Sequence, residues 1–305
     1  MSSTANPVLH GRYNRPMVGA ALAFVSMSFF SIQDAYIKWL AQDFWLIQLL
    51  FFRSLVIVAV TATYLGVRYG RRGFATARTK DHALRTFFNF SAFLSYYFAV
   101  TRMPLADATA IALSAPLIMT ALSGPILGEP ADLPRKMALL TGFVGVLIVI
   151  QPTAESVDWI GVGAALLGAL LFALLALQTR RMSATESSEL MVFYAAAAFL
   201  IVTGAMLLYR WDSATPMQYL MMLGLGVITL FAQYSIVSSY QFAAVYVIAP
   251  FEYVTILWAL VLGWFVFGDL PTATMLLGAG LVVICGLAIV FLERRATRHS
   301  RLGGT

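Results

Sequence analysis

Residues 124–130 read GPILGEP and close an apolar run with glycine, acid and proline. Residues 263–271 read GWFVFGDLP and close a second apolar run in the same manner. Aligning Glu129 with Asp269 sets an offset of 140 residues. Each motif leads into a glycine-studded apolar segment, with Gly142 and Gly145 in the first and Gly278 and Gly280 in the second. Similarity at so long an offset reads as two copies of one unit.

Working outward, ten apolar runs can be drawn: 17–39, 46–67, 83–100, 106–127, 137–150, 159–179, 190–209, 217–239, 245–267 and 272–292. A membrane-spanning helix needs about 20 apolar residues, and most runs reach that length. The fifth is short and is expected to borrow residues 133–136. Only Ser238-Ser239-Tyr240-Gln241 interrupts the stretch 217–267, so a turn is placed there. The first run is too long for a signal peptide's apolar region and is read as a permanent helix. The expected fold is therefore all-α: ten transmembrane helices as two five-helix repeats. An odd number of spans per repeat inverts the second copy, an arrangement that places a substrate site near the midplane between the halves. The expected organisation is an N-terminal tail (1–16), a first repeat (17–150), an outer linker (151–157), a second repeat (158–292) and a basic tail (293–305).

Composition agrees. Of 305 residues, 60% are apolar and 11% charged, where a soluble domain has about a quarter charged. Mean hydropathy is +0.82. So few charges cannot coat a soluble globule. The single cysteine, Cys285, excludes a disulfide framework and cysteine-based metal sites. The net charge of +6 reads as topology. With a cytoplasmic N-terminus, 16 of the 20 basic residues fall on the inner side, in clusters such as Arg68–Arg85 and Arg294–Arg301. That is the positive-inside pattern, with both termini cytoplasmic. No nucleic-acid partner is expected. Trp39, Trp45, Trp159 and Trp211 fall at outer helix ends, as an interfacial belt would.

An enzyme is not expected, and neither is a metal or cofactor. His10, His82 and His299 all lie at or beyond the inner edge, so none can act mid-membrane. The chain has no phosphate-cradling GxxxxGK[ST] motif for direct ATP drive. What remains are polar residues inside spans, which are costly in hydrocarbon. Span one carries Gln33 and Asp34, with Lys38 one turn on. Arg53 lies in the outer third of span two and offers a donor fork that suits a carboxylate or an anchoring carbonyl. Glu252 follows Pro250, whose missing N–H interrupts span nine. It is the strongest candidate for a functional charge, either holding a substrate ammonium or carrying a coupling proton. Asp34 is a second candidate for proton coupling. Span three presents Asn89, Phe93, Tyr96 and Tyr97 on one helical face, and span eight presents Thr229, Gln233 and Tyr240. Gln178, Tyr253 and Trp258 complete the expected cavity lining. Pro116 and Pro250 mark expected helix bends.

The 5+5 plan, the proline-to-acid spacing from Pro116 to Gly128-Glu129, and the matching Gly268-Asp269 carry a family resemblance. Over residues 17–292 the chain resembles the drug/metabolite transporter superfamily, in its EamA type, and within it the YddG-like amino-acid exporters. It departs at Ile256, which stands where Pro116 has its counterpart. The resemblance implies a secondary transporter in the bacterial inner membrane, exporting amino acids (aromatic or other neutral) by alternating access around a central cavity. Other metabolites or drugs remain open, such as a nucleotide derivative, a vitamin or a cationic drug, as does a passive channel. The expected partners are a small-molecule substrate and the lipid bilayer, with the chain a monomer or a homodimer.

Overall fold

The computed structural model describes residues 15–102, 108, 111–150, 158–267 and 272–302. Among these residues every regular element is helical. In order they are α1 (Pro16–Leu40), α2 (Leu46–Tyr69), a 3-10 turn (Gly70–Phe74), α3 (Thr79–Arg102), α4 (Ala115–Leu127), α5 (Leu133–Ile150), α6 (Trp159–Met182), α7 (Ser188–Leu207), α8 (Pro216–Phe242), α9 (Val245–Ile248), a second 3-10 turn (Ala249–Tyr253), α10 (Val254–Phe267) and α11 (Ala273–Leu302). Among the described residues, α1, α2, α6, α7 and α8 are long and apolar enough to cross a membrane, and three shorter apolar helices accompany them. Bulky apolar side chains such as Leu94, Ile201 and Leu277 point outward on the bundle surface, where lipid rather than water would satisfy them.

Local chemistry sets the helix starts. Pro16 and Pro216 occupy the first turns of α1 and α8, where a missing N–H costs nothing. Thr215 and Gln218 close a capping box on α8. Asp158 caps α6 by accepting from the backbone N–H groups of Ile160 and Gly161.

Several expected boundaries move. The fifth helix begins at Leu133, taking in the residues its apolar run lacked. The turn after α8 falls at Ala243-Ala244, and Ser238–Gln241 form its last helical turn. Their side chains explain the shift. Ser239 hydroxyl bonds the Ile236 carbonyl and Ser238 bonds Ser188, so these polar residues are satisfied without a loop. The last helix continues to Leu302, through most of the basic segment expected to be a tail. The expected bends are breaks. Pro250 stands in the first turn of the second 3-10 turn, so span nine is two helices joined by that turn. Pro116 stands in the first turn of α4, behind a turn at Leu113-Ser114. The motif residues Asp269 and Pro271 lie outside the described residues.

The most extensive packing pairs are α3 with α6, α1 with α8, α2 with α7, and α5 with α11. Small residues permit the closest approach. A Cβ added at Gly145 would lie 2.7 Å from the Gly278 carbonyl oxygen, so α5 and α11 touch backbone to backbone there.

Polar links close both ends of the bundle. At the end rich in arginine, Arg180 donates from Nε and Nη2 to Glu129 Oε1 (2.9 and 2.6 Å), and from Nη1 to the Tyr240 carbonyl (2.6 Å). Ser183 donates to the same carbonyl. These bonds tie the ends of α4, α6 and α8. At the opposite end Arg102 pairs with Asp158, and Asp212 accepts from the Trp45 backbone N–H.

Candidate functional site

Near the middle of the bundle, side chains from six helices line a cavity of about 190 Å³. From α1 come Phe30 and Gln33, and from α2 Arg53, Ser54 and Ile57. Asn89 and Phe93 enter from α3, and Phe172 from α6. Residues Val192, Ala195, Ala196 and Phe199 of α7 and Thr229 and Gln233 of α8 complete the wall.

The wall divides into an aromatic part and an amide part. Phe199 packs edge-on against Phe93, their ring centroids 6.2 Å apart at 90°. The Arg53 guanidinium sits over the Phe199 ring, 5.7 Å from its centroid, within cation–π range. On the other side Thr229 donates to Gln33 Oε1 at 2.7 Å. Gln33 Nε2 in turn donates to Asp34 Oδ1 at 3.2 Å. Asn89 and Gln233 also line the cavity, and neither makes a hydrogen bond among the described residues. Each carboxamide thus keeps its donors and acceptor available.

Gln33, Arg53, Asn89, Phe93 and Gln233, all named from the sequence, line this one cavity. Other expected lining residues lie elsewhere. Tyr253 is fully buried between α5 and α11, among Leu139, Val146, Val282 and Cys285. Trp258 donates its indole N–H to Ser28 Oγ at 2.8 Å, fastening α10 to α1. Gln178 lies at the arginine-rich end and donates to Asp81 Oδ1. Tyr96 shares a helical face with Asn89, but seven residues carry it about 10 Å along the axis, and it packs against the Ala99, Ala108 and Ala165 cluster. The side chain of Tyr97 lies outside the described residues. Glu252 is buried in the second 3-10 turn and is not a lining residue. Its Oε1 has no hydrogen-bond partner among the described residues, and its charge acts on Tyr240 and Tyr253. Asp34 sits behind Gln33, outside the lining.

Sequence reasoning missed Phe30, Phe172 and the α7 wall. A run of alanines, residues 195–198, precedes Phe199. Small residues beside a large ring leave open volume, so that run carried a usable signal. A larger depression of about 690 Å³ is lined, among the described residues, by α2 residues between Ala59 and Arg68. The described part of that lining is a groove along the outer surface of one helix.

Outside the bundle's middle, three carboxylates, Glu186, Asp158 and Asp212, are held below the usual carboxylate range. Burial alone would raise the Glu186 carboxyl, but hydrogen bonds from His82 and Thr76 outweigh it and leave it below the usual range. The Gly161 backbone N–H and the nearby Arg102 lower Asp158. Bonds from Arg210 and the Trp45 backbone lower Asp212.

Comparison with known proteins gives this geometry a setting. Residues 17–151 match the EamA-like transporter family. The riboflavin transporter of Vibrio cholerae is 29% identical, over 81% of this chain and 82% of its own length. The S-adenosylmethionine uptake transporter of Rickettsia conorii is 24% identical, over 92% and 95%. The pseudopaline exporter of Pseudomonas aeruginosa is 24% identical, over 89% and 95%. These are transporters by name rather than enzymes, and none of the three is named for amino acids. A solved crystal structure superposes with a TM-score of 0.71 at 18% identity, covering 92% of this chain and 97% of that one, which supports the fold alone.

Proposed function

We propose that this chain, whose residues 17–151 match the EamA-like transporter family, is a secondary transporter of small organic metabolites. The observation that carries the reading is the mid-bundle cavity, where Gln33, Arg53, Asn89 and Gln233 converge from four helices beside aromatic rings. Polar groups this deep in an apolar bundle are costly unless they serve a pathway. Most of the wall is buried, including Gln33, Ile57, Phe199 and Thr229. On this reading a solute enters and leaves as one end of the bundle opens at a time, by alternating access.

The moving units are two inverted five-helix halves, residues 17–150 and 158–292, with the arginine-rich end cytoplasmic. The packing pairs support this division. Exchanging the halves turns the α3–α6 pair into the α8–α1 pair and returns the α2–α7 and α5–α11 pairs to themselves. The breaks in spans four and nine also correspond, since Leu113 and Tyr253 lie 140 residues apart. On this reading Glu252, buried at the second break, carries a coupling proton. The setting is a bacterial inner membrane, and the direction export.

Amino-acid export is the second reading. Arg53 favours it, because a guanidinium fork suits a substrate carboxylate. Against it stands the position of Glu252, the acid expected to hold an ammonium, which is outside the lining. Counterflow in proteoliposomes tests the proposal. Vesicles preloaded with one metabolite should transiently accumulate the labelled form of that metabolite, with saturation. Linear, unsaturable flux without counterflow would make the protein a channel instead.

A further inference from the structure

Resting on the reading of the central cavity as the substrate site, we infer that its substrate is a planar nitrogen heterocycle, uncharged or anionic, one or two fused rings in size. Three observations bear on this. Asn89 and Gln233 reach the cavity with carboxamides that have no hydrogen-bond partner among the described residues. A carboxamide presents a donor and an acceptor side by side in one plane, and it pairs in two-bond fashion with the amide or amidine edge of a ring, as Asn and Gln do with adenine. The third amide, Gln33, has its oxygen occupied by Thr229 and its nitrogen bonded to Asp34. It is a positioned wall element whose own bonds are already made.

The second observation is aromatic. Phe30, Phe93, Phe172 and Phe199 bring rings from four helices to a cavity that has few other bulky groups. Rings of this kind hold a flat conjugated system by offset or edge-on contact. Volume sets the third limit. At about 190 Å³ the cavity is smaller than the roughly 300–1,000 Å³ of drug-sized sites. A single or fused double ring fits, and a long side chain does not.

Charge selects among such rings. Arg53 is the charged side chain among the described lining residues, and that lining has no acid. An ammonium or other cation would meet Arg53 on the wall, whereas Asp34, the acid within its electrostatic reach, stands behind Gln33 and off the wall. A neutral ring, or one bearing a carboxylate or an ionised imide, meets no such penalty.

The test is binding and counterflow with purified full-length protein in proteoliposomes. Adenine, uracil and urate, the last an anion at neutral pH, serve as the heterocycles. The amino acids l-phenylalanine and l-tryptophan and the cation tetraphenylphosphonium are the contrasts. At least one heterocycle should bind saturably and compete in counterflow, with at least tenfold preference over the contrasts. Gln233→Leu should lower its affinity at least tenfold, as should Asn89→Leu, both variants remaining monodisperse. Gln233→Glu, an isostere, guards against misfolding and should weaken the anionic heterocycle most. Preference for the amino acids, with loss in Gln233→Leu, would overturn the substrate class and leave the cavity's role intact. Heterocycle counterflow unchanged in both leucine variants would overturn the cavity as the site as well. Binding of none of the heterocycles would also overturn the inference.

Discussion

Gln33 shows how one side chain is fixed inside the bundle. Thr229 holds its oxygen and Asp34 accepts from its nitrogen, so the amide cannot rotate freely to satisfy a solute. Gln233 and Asn89 have no such ties among the described residues, and their hydrogen-bonding capacity is directed into the cavity. Glu252 poses a different case, with one carboxylate oxygen unpartnered among the described residues at the break in span nine. If it carries the coupling proton, Glu252→Gln should flatten the dependence of transport on pH while keeping substrate binding. Parallel profiles for variant and wild type, in proteoliposomes at a series of external pH values, would remove that role. Gln33, Arg53, Asn89 and Gln233 were readable from sequence because polar side chains stand out in apolar spans. Tyr253 and Trp258 misled for a physical reason. An aromatic with a polar tip satisfies that tip equally well in a cavity or in a helix contact, and sequence does not say which. Trp258 found Ser28.

Helices here are joined by close backbone contact and by caps. Replacing Gly145 with leucine would drive a side chain into the Gly278 carbonyl and Leu281 on α11. Overpacking of this kind costs about 1–3 kcal/mol, so Gly145→Leu should lower the unfolding temperature in detergent. An unchanged midpoint would mean that α5 and α11 separate easily. The N-cap of α6 gives a pH-dependent counterpart. Asp158 is held below the ordinary carboxylate range by the Gly161 N–H and by Arg102. Its contribution is therefore complete above its unfolded value, near pH 4, and fades as pH falls through the lowered one. Asp158→Asn keeps the capping shape and should reduce acid sensitivity of thermal unfolding below pH 4, whereas Asp158→Ala should lower stability at neutral pH. Wild-type behaviour of both variants would show that neither the charge nor the cap matters. Element existence was legible from the apolar runs. The ends were not, because Ser238–Gln241 satisfy themselves within α8, a bonding choice that composition does not reveal.

At the scale of the whole molecule, polar ties at both ends flank the cavity. The Arg180–Glu129–Tyr240 tie joins three helices at the arginine-rich end. Weakening it should favour opening there. Cys285 is the chain's one cysteine and is buried, so a second cysteine at Ala195 can be labelled with little background. Glu129→Gln should speed its labelling by a charged maleimide added from the arginine-rich side. No change in rate would mean that this tie does not govern access. The broad plan, helices alternating in direction between a basic and an opposite end, was already visible in where the arginines fall. The cavity's content was not, since it depends on which faces of six helices turn inward together.

The claim beneath all of this is that solute passes through the mid-bundle cavity. Ala196 lines that cavity, and Ala196→Trp would fill much of about 190 Å³. Thr63 lies on the outer groove of α2, so Thr63→Trp adds the same bulk away from the cavity. The direct measurement is counterflow for both variants at equal reconstituted protein. The account predicts loss of counterflow in Ala196→Trp and near-normal counterflow in Thr63→Trp. Undiminished counterflow in a well-folded Ala196→Trp would contradict it.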